Sequence, residues 1–473
     1  MSEDGDRAAC RRDRWIVALT AMVARMGVVA WAASRIPPTA DGVFYHTIAT
    51  RISQGLGYTW LWPDGVVTYA AHYPVGYPAM IGAAYALAGA QPVAAMVVHA
   101  MLGVAASTAT HALAARATSR RRALVVGLLA ALHVGLVAYT PALMTEGVTA
   151  SLWVVAAWAA MRARESRRRR AVAWVAAAGI TLAVATLVRP QSMAMAPWFG
   201  WWALSAGAGW KARARRAVAV TAVAAACCVP WVVRNQVRMG EAGLSFNGGW
   251  NLLIGATPSA QGTWAPLQVP DACREVFDEA KKDGCFGREA VRWIRAHPTA
   301  WLSLVPAKMA VTFDYCGAAG WYLNAANPMA FSYDRKVTLG VVETAFERLL
   351  LGGALLGLGM ARGPRRRVRI GLAAVALLPL LTQHAWLSYL AIVPLALTFG
   401  SSLASLPFAV SAAAAVLGLT ALTHAVFFGA GRYSLPVMPF ITALAGGIGG
   451  RAPAGLPGRD AQALYNDDDR LRY

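Results

Sequence analysis

The chain has 473 residues, of which 57% are hydrophobic and 14% charged, with a mean hydropathy of +0.45 and a formal net charge of +21. So little polar material would not cover a soluble protein of this size. The excess charge does not indicate nucleic acid either. The bases fall in short clusters between apolar runs (Arg11–Arg14, Arg120–Arg122, Arg162–Arg170, Lys211–Arg216 and Arg365–Arg369), which is the positive-inside pattern, with membrane lipid head groups as the partner.

Apolar runs long enough to span a bilayer recur along the chain, and in lipid a helix satisfies its own backbone hydrogen bonds. The prediction is an all-α polytopic membrane protein. It has about twelve transmembrane helices plus a re-entrant or interfacial segment, with amphipathic juxtamembrane helices in the first external segment and a larger external segment after it. The first run, Trp15–Ile36, is too long for a removable leader and reads as a retained helix leaving the cytoplasm. Residues 37–76 are then external. Spans follow at 92–114, 123–140, 143–161, 171–188, 193–209 and 217–233, after which 234–340 is external. The last five spans are 341–361, 370–383, 385–400, 405–425 and 436–450. Residues 77–90 suit a re-entrant or interfacial segment, because counting them as a span would put Arg116–Arg122 outside. The parts are therefore a transmembrane catalytic module (1–233, including 37–76), an extracytoplasmic folded segment (234–340), C-terminal helices (341–450) and a cytoplasmic tail (451–473).

Within 234–340, FGREAVRWIRAHP reads as an amphipathic helix stopped by Pro298, and TAWLSLVPAKMAVTF as a stretch on the membrane surface. Cys273 and Cys285 share this segment, so a disulfide is open to them in an oxidising compartment. Cys227 and Cys228 lie inside a span as packing residues.

Acidic residues are scarce, which gives Asp41 weight. It follows the breaker Pro37-Pro38 at the first membrane exit and opens DGVFYHTIATRISQG, where Phe44, Ile48 and Ile52 share a face and Gly55 ends the helix. Asp41 is either an N-cap or a base that takes a proton from an incoming hydroxyl or amine. Tyr45 lies one turn on. In AHYPVGYP, Pro74, Gly76 and Pro78 give a rigid approach to the membrane, with His72 and Tyr73 at the cavity lip. Glu146 lies near the outer end of a span; it either compensates a helix dipole or is a second acid in the cavity of Asp41. Arg189 in LVRPQS, Arg234 in PWVVRNQ and Arg432-Tyr433 in GAGRYSLPVMP each stand at an outer helix end. Each arginine either snorkels, pairs with one of the acids, or binds phosphate. Three at one level with two acids favour an anionic ligand.

These phrases, in this order, resemble the C-type superfamily of integral membrane glycosyltransferases. They are most similar to bacterial members like family 39, the protein O-mannosyltransferases and aminoarabinose–lipid A transferases. The matching phrases are the Asp41 segment, YPVGYP, TEGVTASLW, LVRPQS, PWVVRNQ with SFNGGWNLLIGA, WIRAHP and HAVFFGAGRYSLPVMP. The resemblance implies an inverting enzyme of the plasma (inner) membrane, multi-pass, working on the extracytoplasmic face. It implies a polyprenyl-phosphate sugar donor and an acceptor that is a glycan, a lipid or a protein. It places the base at Asp41 and the phosphate on outer-end cations, here Arg189, Arg234 and Arg432. Many relatives carry two adjacent acids where this chain has Asp41-Gly42, which leaves Glu146 as the candidate partner acid. Some relatives use no metal and others bind a divalent ion, and the sequence offers no ligand cluster. The alternatives are a transporter or flippase of lipid-linked saccharides, for which no internal repeat is visible, and a non-catalytic scaffold retaining the fold.

Overall fold

The computed structural model describes residues 3–205, 207–257, 259–400 and 406–448. The expected tail 451–473, the link 401–404 with the first residue of the span expected at 405–425, and the end 449–450 of the last expected span lie outside the described residues.

The chain is mostly helical, in the order α1 (Glu3–Ala32), α2 (Asp41–Ser53), α3 (Gly76–Ala88), α4 (Pro92–Ala117), α5 (Arg120–Ala131), α6 (Val134–Ala138), α7 (Glu146–Glu165) and α8 (Arg168–Val188). Then come α9 (Met195–Trp202), α10 (Trp210–Met239), α11 (Gly248–Ile254), α12 (Glu279–Ala296), α13 (Pro298–Ser303), α14 (Val305–Phe313) and α15 (Ala318–Ala326). The last are α16 (Tyr333–Met360), α17 (Arg366–Leu377), α18 (Ala385–Leu390), α19 (Ile392–Leu397), α20 (Phe408–Val426) and α21 (Met438–Ala445).

Among the described residues, six helical stretches are long and apolar enough to cross a membrane: Ala8–Ala32, Pro92–Ala117, Arg120–Ala138, Arg169–Val188, Trp210–Met239 and Phe408–Val426. The other expected spans fall on helices that are charged or broken. The one expected at 193–209 holds the eight-residue α9, preceded by a 3-10 turn over Pro190–Ala194. The one expected at 436–450 begins inside a second 3-10 turn, Gly431–Val437, which contains Pro436. Proline removes an amide donor and crowds the preceding turn, so α9 and α21 begin only after these 3-10 turns.

Residues 37–76, expected to be external, add a feature that the all-α prediction lacks, a hairpin of β1 (Thr59–Leu61) and β2 (Val67–Tyr69). The apolar face of α2 is buried against protein. Ile48 is fully buried, with Phe44 and Ile52 beside it, in a cluster with Tyr58, Trp231 and Phe246. The YPVGYP stretch becomes helical sooner than expected: α3 begins at Gly76 and takes Pro78 into its first turn, where no intrahelical amide bond is lost. Gly76 is required there, since a Cβ would stand 2.6 Å from the backbone of Leu187, so α3 starts hard against the last turn of α8. Within residues 234–340 α12 ends before Pro298, the stretch expected on the membrane surface divides into α13 and α14, and Cys273 and Cys285 form a disulfide.

A candidate active site at one end of the bundle

Asp41 is the first residue of α2, and the capping position is taken by Ala40, which has no side-chain acceptor. Asp41 is therefore not the cap. Ala40 holds a positive φ of 49°, uncommon for a residue with a Cβ, and this turns the chain from Pro37-Pro38 into the helix. Gly42 packs so closely that a Cβ would lie 2.8 Å from the Tyr322 hydroxyl and 3.1 Å from the Leu143 carbonyl. No second acid fits at position 42 without moving α2.

The Asp41 carboxylate faces Arg432. The Arg432 Nη2 donates to Asp41 Oδ2 at 3.4 Å, and its Nε stands 3.3 Å from Glu146 Oε1. Arg189 Nη2 donates to the same Glu146 oxygen at 2.8 Å, its Nε donates to Thr145 Oγ1 at 3.0 Å, and the Tyr139 hydroxyl donates to Glu146 Oε2 at 3.1 Å. Both guanidinium groups lie over the ring of Tyr433, at 5.0 and 5.2 Å. Tyr433 is itself stacked on His424 at 4.1 Å. Five of the residues singled out in the sequence thus meet: Asp41, Glu146, Arg189, Arg432 and Tyr433. They come from α2, α7, the end of α8 and the turn before α21.

The two acids are not equivalent. The Asp41 side chain keeps 32% of its exposure and lines a cavity of about 680 Å³, whereas Glu146 keeps 1% and is absent from the lining. The expectation that Glu146 shares the open cavity is corrected on this point. It lies beneath Arg189 and Arg432, where burying a carboxylate is compensated by two cations and a phenol.

His72 and Tyr73 do line the cavity, and Tyr45 packs against Tyr73 with ring centroids 4.9 Å apart. The segment carrying them is tied at several backbone groups. Ala70 O accepts from Arg234 Nη1 at 2.9 Å, Ala71 N donates to Glu279 Oε1 at 2.7 Å, Ala71 O accepts from Phe246 N at 2.9 Å, and the Tyr58 hydroxyl donates to Tyr73 O at 2.7 Å. Burial holds the His72 imidazole below its usual range, so it is neutral near pH 7. Burial, with Asp41 nearby, raises the Tyr73 phenol, which stays protonated.

Arg234 is not brought to the site. It donates to Ala70 O and Tyr58 O, lies 4.7 Å over the Trp231 ring, and is absent from the cavity lining. Its guanidinium is spent on carbonyls of the first external segment.

The cavity wall also holds Gln191, Asn247, Trp250, Trp264 and Asp283, none of which the sequence singled out as a site residue. Asp283 Oδ1 accepts the Trp250 amide at 2.8 Å. Amides, a carboxylate and indole faces in one wall suit a polyhydroxylated ligand, with hydroxyls to the polar groups and C–H faces to the rings. The phrase SFNGGWN carried the signal for two of them, Asn247 and Trp250; Asp283 sits in an ordinary charged stretch and carried none. Among the described residues no group of three His, Cys, Asp or Glu side chains is placed to hold a metal ion.

Residues 72–233, about a third of the chain, match the family described as dolichyl-phosphate-mannose-protein mannosyltransferase. Over this part the chain is similar to that family, and the resemblance to C-type membrane glycosyltransferases stands on this match. It includes His72, Tyr73, Glu146 and Arg189, and it begins after Asp41 and ends before Arg432. No curated protein matches the chain. Among solved structures, the oligosaccharyltransferase of Archaeoglobus fulgidus in the apo form has a TM-score of 0.48 at 15% identity, covering 92% of this chain and 50% of that one. ArnT from Cupriavidus metallidurans in the apo state has a TM-score of 0.41 at 14% identity, covering 91% and 76%. The same protein bound to undecaprenyl phosphate has a TM-score of 0.40 at 14% identity, covering 95% and 79%. The chain spans half the length of the archaeal oligosaccharyltransferase.

Proposed function

We propose that this chain is an inverting membrane glycosyltransferase that moves a sugar from a polyprenyl-phosphate donor to an acceptor on the extracytoplasmic face, with Asp41 as general base. The observation that carries this reading is the single guanidinium of Arg432 spanning a partly exposed carboxylate, Asp41, and a buried one, Glu146, at the cavity wall.

Glu146 holds one side of Arg432 and, with Thr145, holds Arg189. The 3.4 Å contact to Asp41 is long for a charge-assisted hydrogen bond and is the one that an incoming phosphate can replace. Donor binding then frees Asp41. The acceptor oxygen or nitrogen attacks the anomeric carbon and its proton passes to Asp41. The bond from that carbon to the phosphate oxygen breaks, and the lipid phosphate leaves with the electron pair. Arg189 and Arg432 meet the charge that gathers on the departing oxygen. In this account Glu146 is a positioning residue. His72 and Tyr73 line the acceptor side, and the aromatic and amide wall holds the sugar.

One helix supports the proposed side of the membrane. Glu146 opens α7 and Arg162, Arg164 and Glu165 close it, twenty residues later. At 1.5 Å per residue this separates the site from a cytoplasmic basic cluster by about 30 Å, one hydrocarbon thickness.

The direct test is transfer by the purified chain from a panel of labelled polyprenyl-phosphate sugars. Transfer that survives Asp41→Asn would remove the base assignment; transport of intact lipid-linked sugar without bond cleavage would remove the enzyme reading.

A further inference from the structure

Lys308 has no role in the transfer step, and its surroundings are unusual for a lysine. It lies on α14 and is fully buried. Its ammonium donates to Ala425 O and Val426 O at 3.2 Å each and lies 5.3 Å over the Trp301 ring. Those are the last two carbonyls of α20, which no intrahelical amide can reach. Burying an ammonium is costly unless it is hydrogen-bonded, and a helix C-terminus offers it the negative end of the macrodipole.

The same two carbonyls root the stretch that carries Arg432. Phe427 and Phe428 leave α20 into the cavity wall, and Arg432 and Tyr433 follow in the same wall. Between them the chain runs along α14 and the link after it. A Cβ on Gly429 would run into Lys308 O and Thr312 Oγ1, and one on Gly431 into the carbonyls of Tyr315 and Cys316. Gly429 N donates to Gly262 O at 2.8 Å, and Thr312 Oγ1 donates to Lys308 O at 2.7 Å. From the other side His424 Nδ1 donates to Phe428 O at 2.9 Å. Lys308 thus fixes where the stretch begins, and the glycine contacts fix its course. Packing this close has no slack, so a shift at the root is passed to Arg432.

We propose that Lys308 is a positioning residue of the donor site: by holding the end of α20 it places the Arg432 guanidinium where the donor phosphate binds. The proposal rests on the transfer reading above. Lys308 is absent from the cavity lining and touches neither reactant; it acts through Arg432. Lys308→Met keeps the length of the side chain and withdraws the donor from both carbonyls. The last turn of α20 then lacks its cap, and the Arg432 stretch lacks a fixed root.

The test is binding of farnesyl phosphate to the full chain in detergent, with Kd and the number of sites per chain read separately. Lys308→Met raises Kd roughly 10-fold, within the range of couplings between residues of one contact network. Lys308→Arg, which keeps a charged donor there, raises it less. Gly429→Ala pushes the same stretch off α14 with the ammonium intact, and it also raises Kd. In an Arg432→Ala background Lys308→Met adds no further loss. A purely structural role would lower the number of sites and leave Kd unchanged, and that result overturns the proposal. So does an equal loss from Lys308→Met with Arg432 present and replaced. If Lys308→Met does not fold, an unchanged Kd in both Lys308→Arg and Gly429→Ala overturns it. Arg432→Ala that leaves Kd unchanged removes the donor-site reading itself, and this proposal with it. Arg432→Ala that weakens binding while Lys308→Met does not removes Lys308 alone.

Discussion

Arg432 and Arg234 stand at outer helix ends in similar sequence settings, yet their surroundings differ in kind. Arg432 faces carboxylates, which a phosphate can displace because anion replaces anion. Arg234 faces the carbonyls of Tyr58 and Ala70 and three aromatic rings, and a ligand that took it would strand those carbonyls. An arginine near a proposed anion site is available to ligand when its resting partners are themselves exchangeable. The wall around Arg432 is built to give up a contact, and the strap around Arg234 to keep every one.

The comparison breaks most directly at Asp41. Asp41→Asn should lower transfer by about 10²–10⁴-fold, the usual worth of a general base, while donor binding persists. Radiolabelled transfer and farnesyl phosphate binding measured side by side check this. Arg432→Ala should weaken donor binding and, through lost stabilisation of the leaving phosphate, slow transfer by roughly 10²–10³-fold. Unchanged binding would take it out of the site. Arg234→Ala should act on the other axis. It leaves two backbone carbonyls without their donor, at about 1–3 kcal/mol each, and so lowers the thermal midpoint in detergent, with a smaller effect on donor affinity than Arg432→Ala. A donor-affinity loss equal to that of Arg432→Ala would erase the distinction.

The smallest effect is in pH. Burial raises the Glu279 carboxyl from its ordinary value to about 7, against the pull of the Ala71 amide and Arg234. The folded chain therefore binds a proton between these two values that the unfolded chain does not. This contribution to stability is complete below the unfolded value and is lost as pH rises through about 7. The thermal midpoint should decline from about pH 5 to about pH 8, and Glu279→Gln, which keeps an acceptor for Ala71, should flatten that decline. A glutamine variant with the same slope would remove Glu279 as its source.

The mostly helical, multi-pass character was legible because hydropathy reports directly on lipid, and six of the expected spans fall on helices long and apolar enough to cross it. The length of the short segment at 77–90, the helix before Pro298 and the pairing open to Cys273 and Cys285 were visible for the same local reasons. What sequence could not convey was partner geometry. Asp41, Glu146, Arg189 and Arg432 were readable as an unusual set of charges at one level, but which acid faces water depends on α7 and α8 packing beneath the Arg432 turn. Arg234 looked like its neighbours because its distinguishing partners are main-chain carbonyls, which every residue carries. Asp283 was silent because one aspartate among charged residues of an external segment has no local mark.

The meeting of Gly76 with Leu187 couples two walls of the cavity. Tyr73 approaches through the segment that ends at Gly76, and Arg189 leaves α8 two residues after Leu187, so these walls travel as one piece. On the proposed reading, room for a bulky lipid-borne sugar to enter and a product to depart comes from the opposite bank, which carries Phe427–Tyr433 and α11. A crosslink clamping that bank should trap the chain between turnovers, whereas one joining residues near 76 and 187 should leave the cycle running.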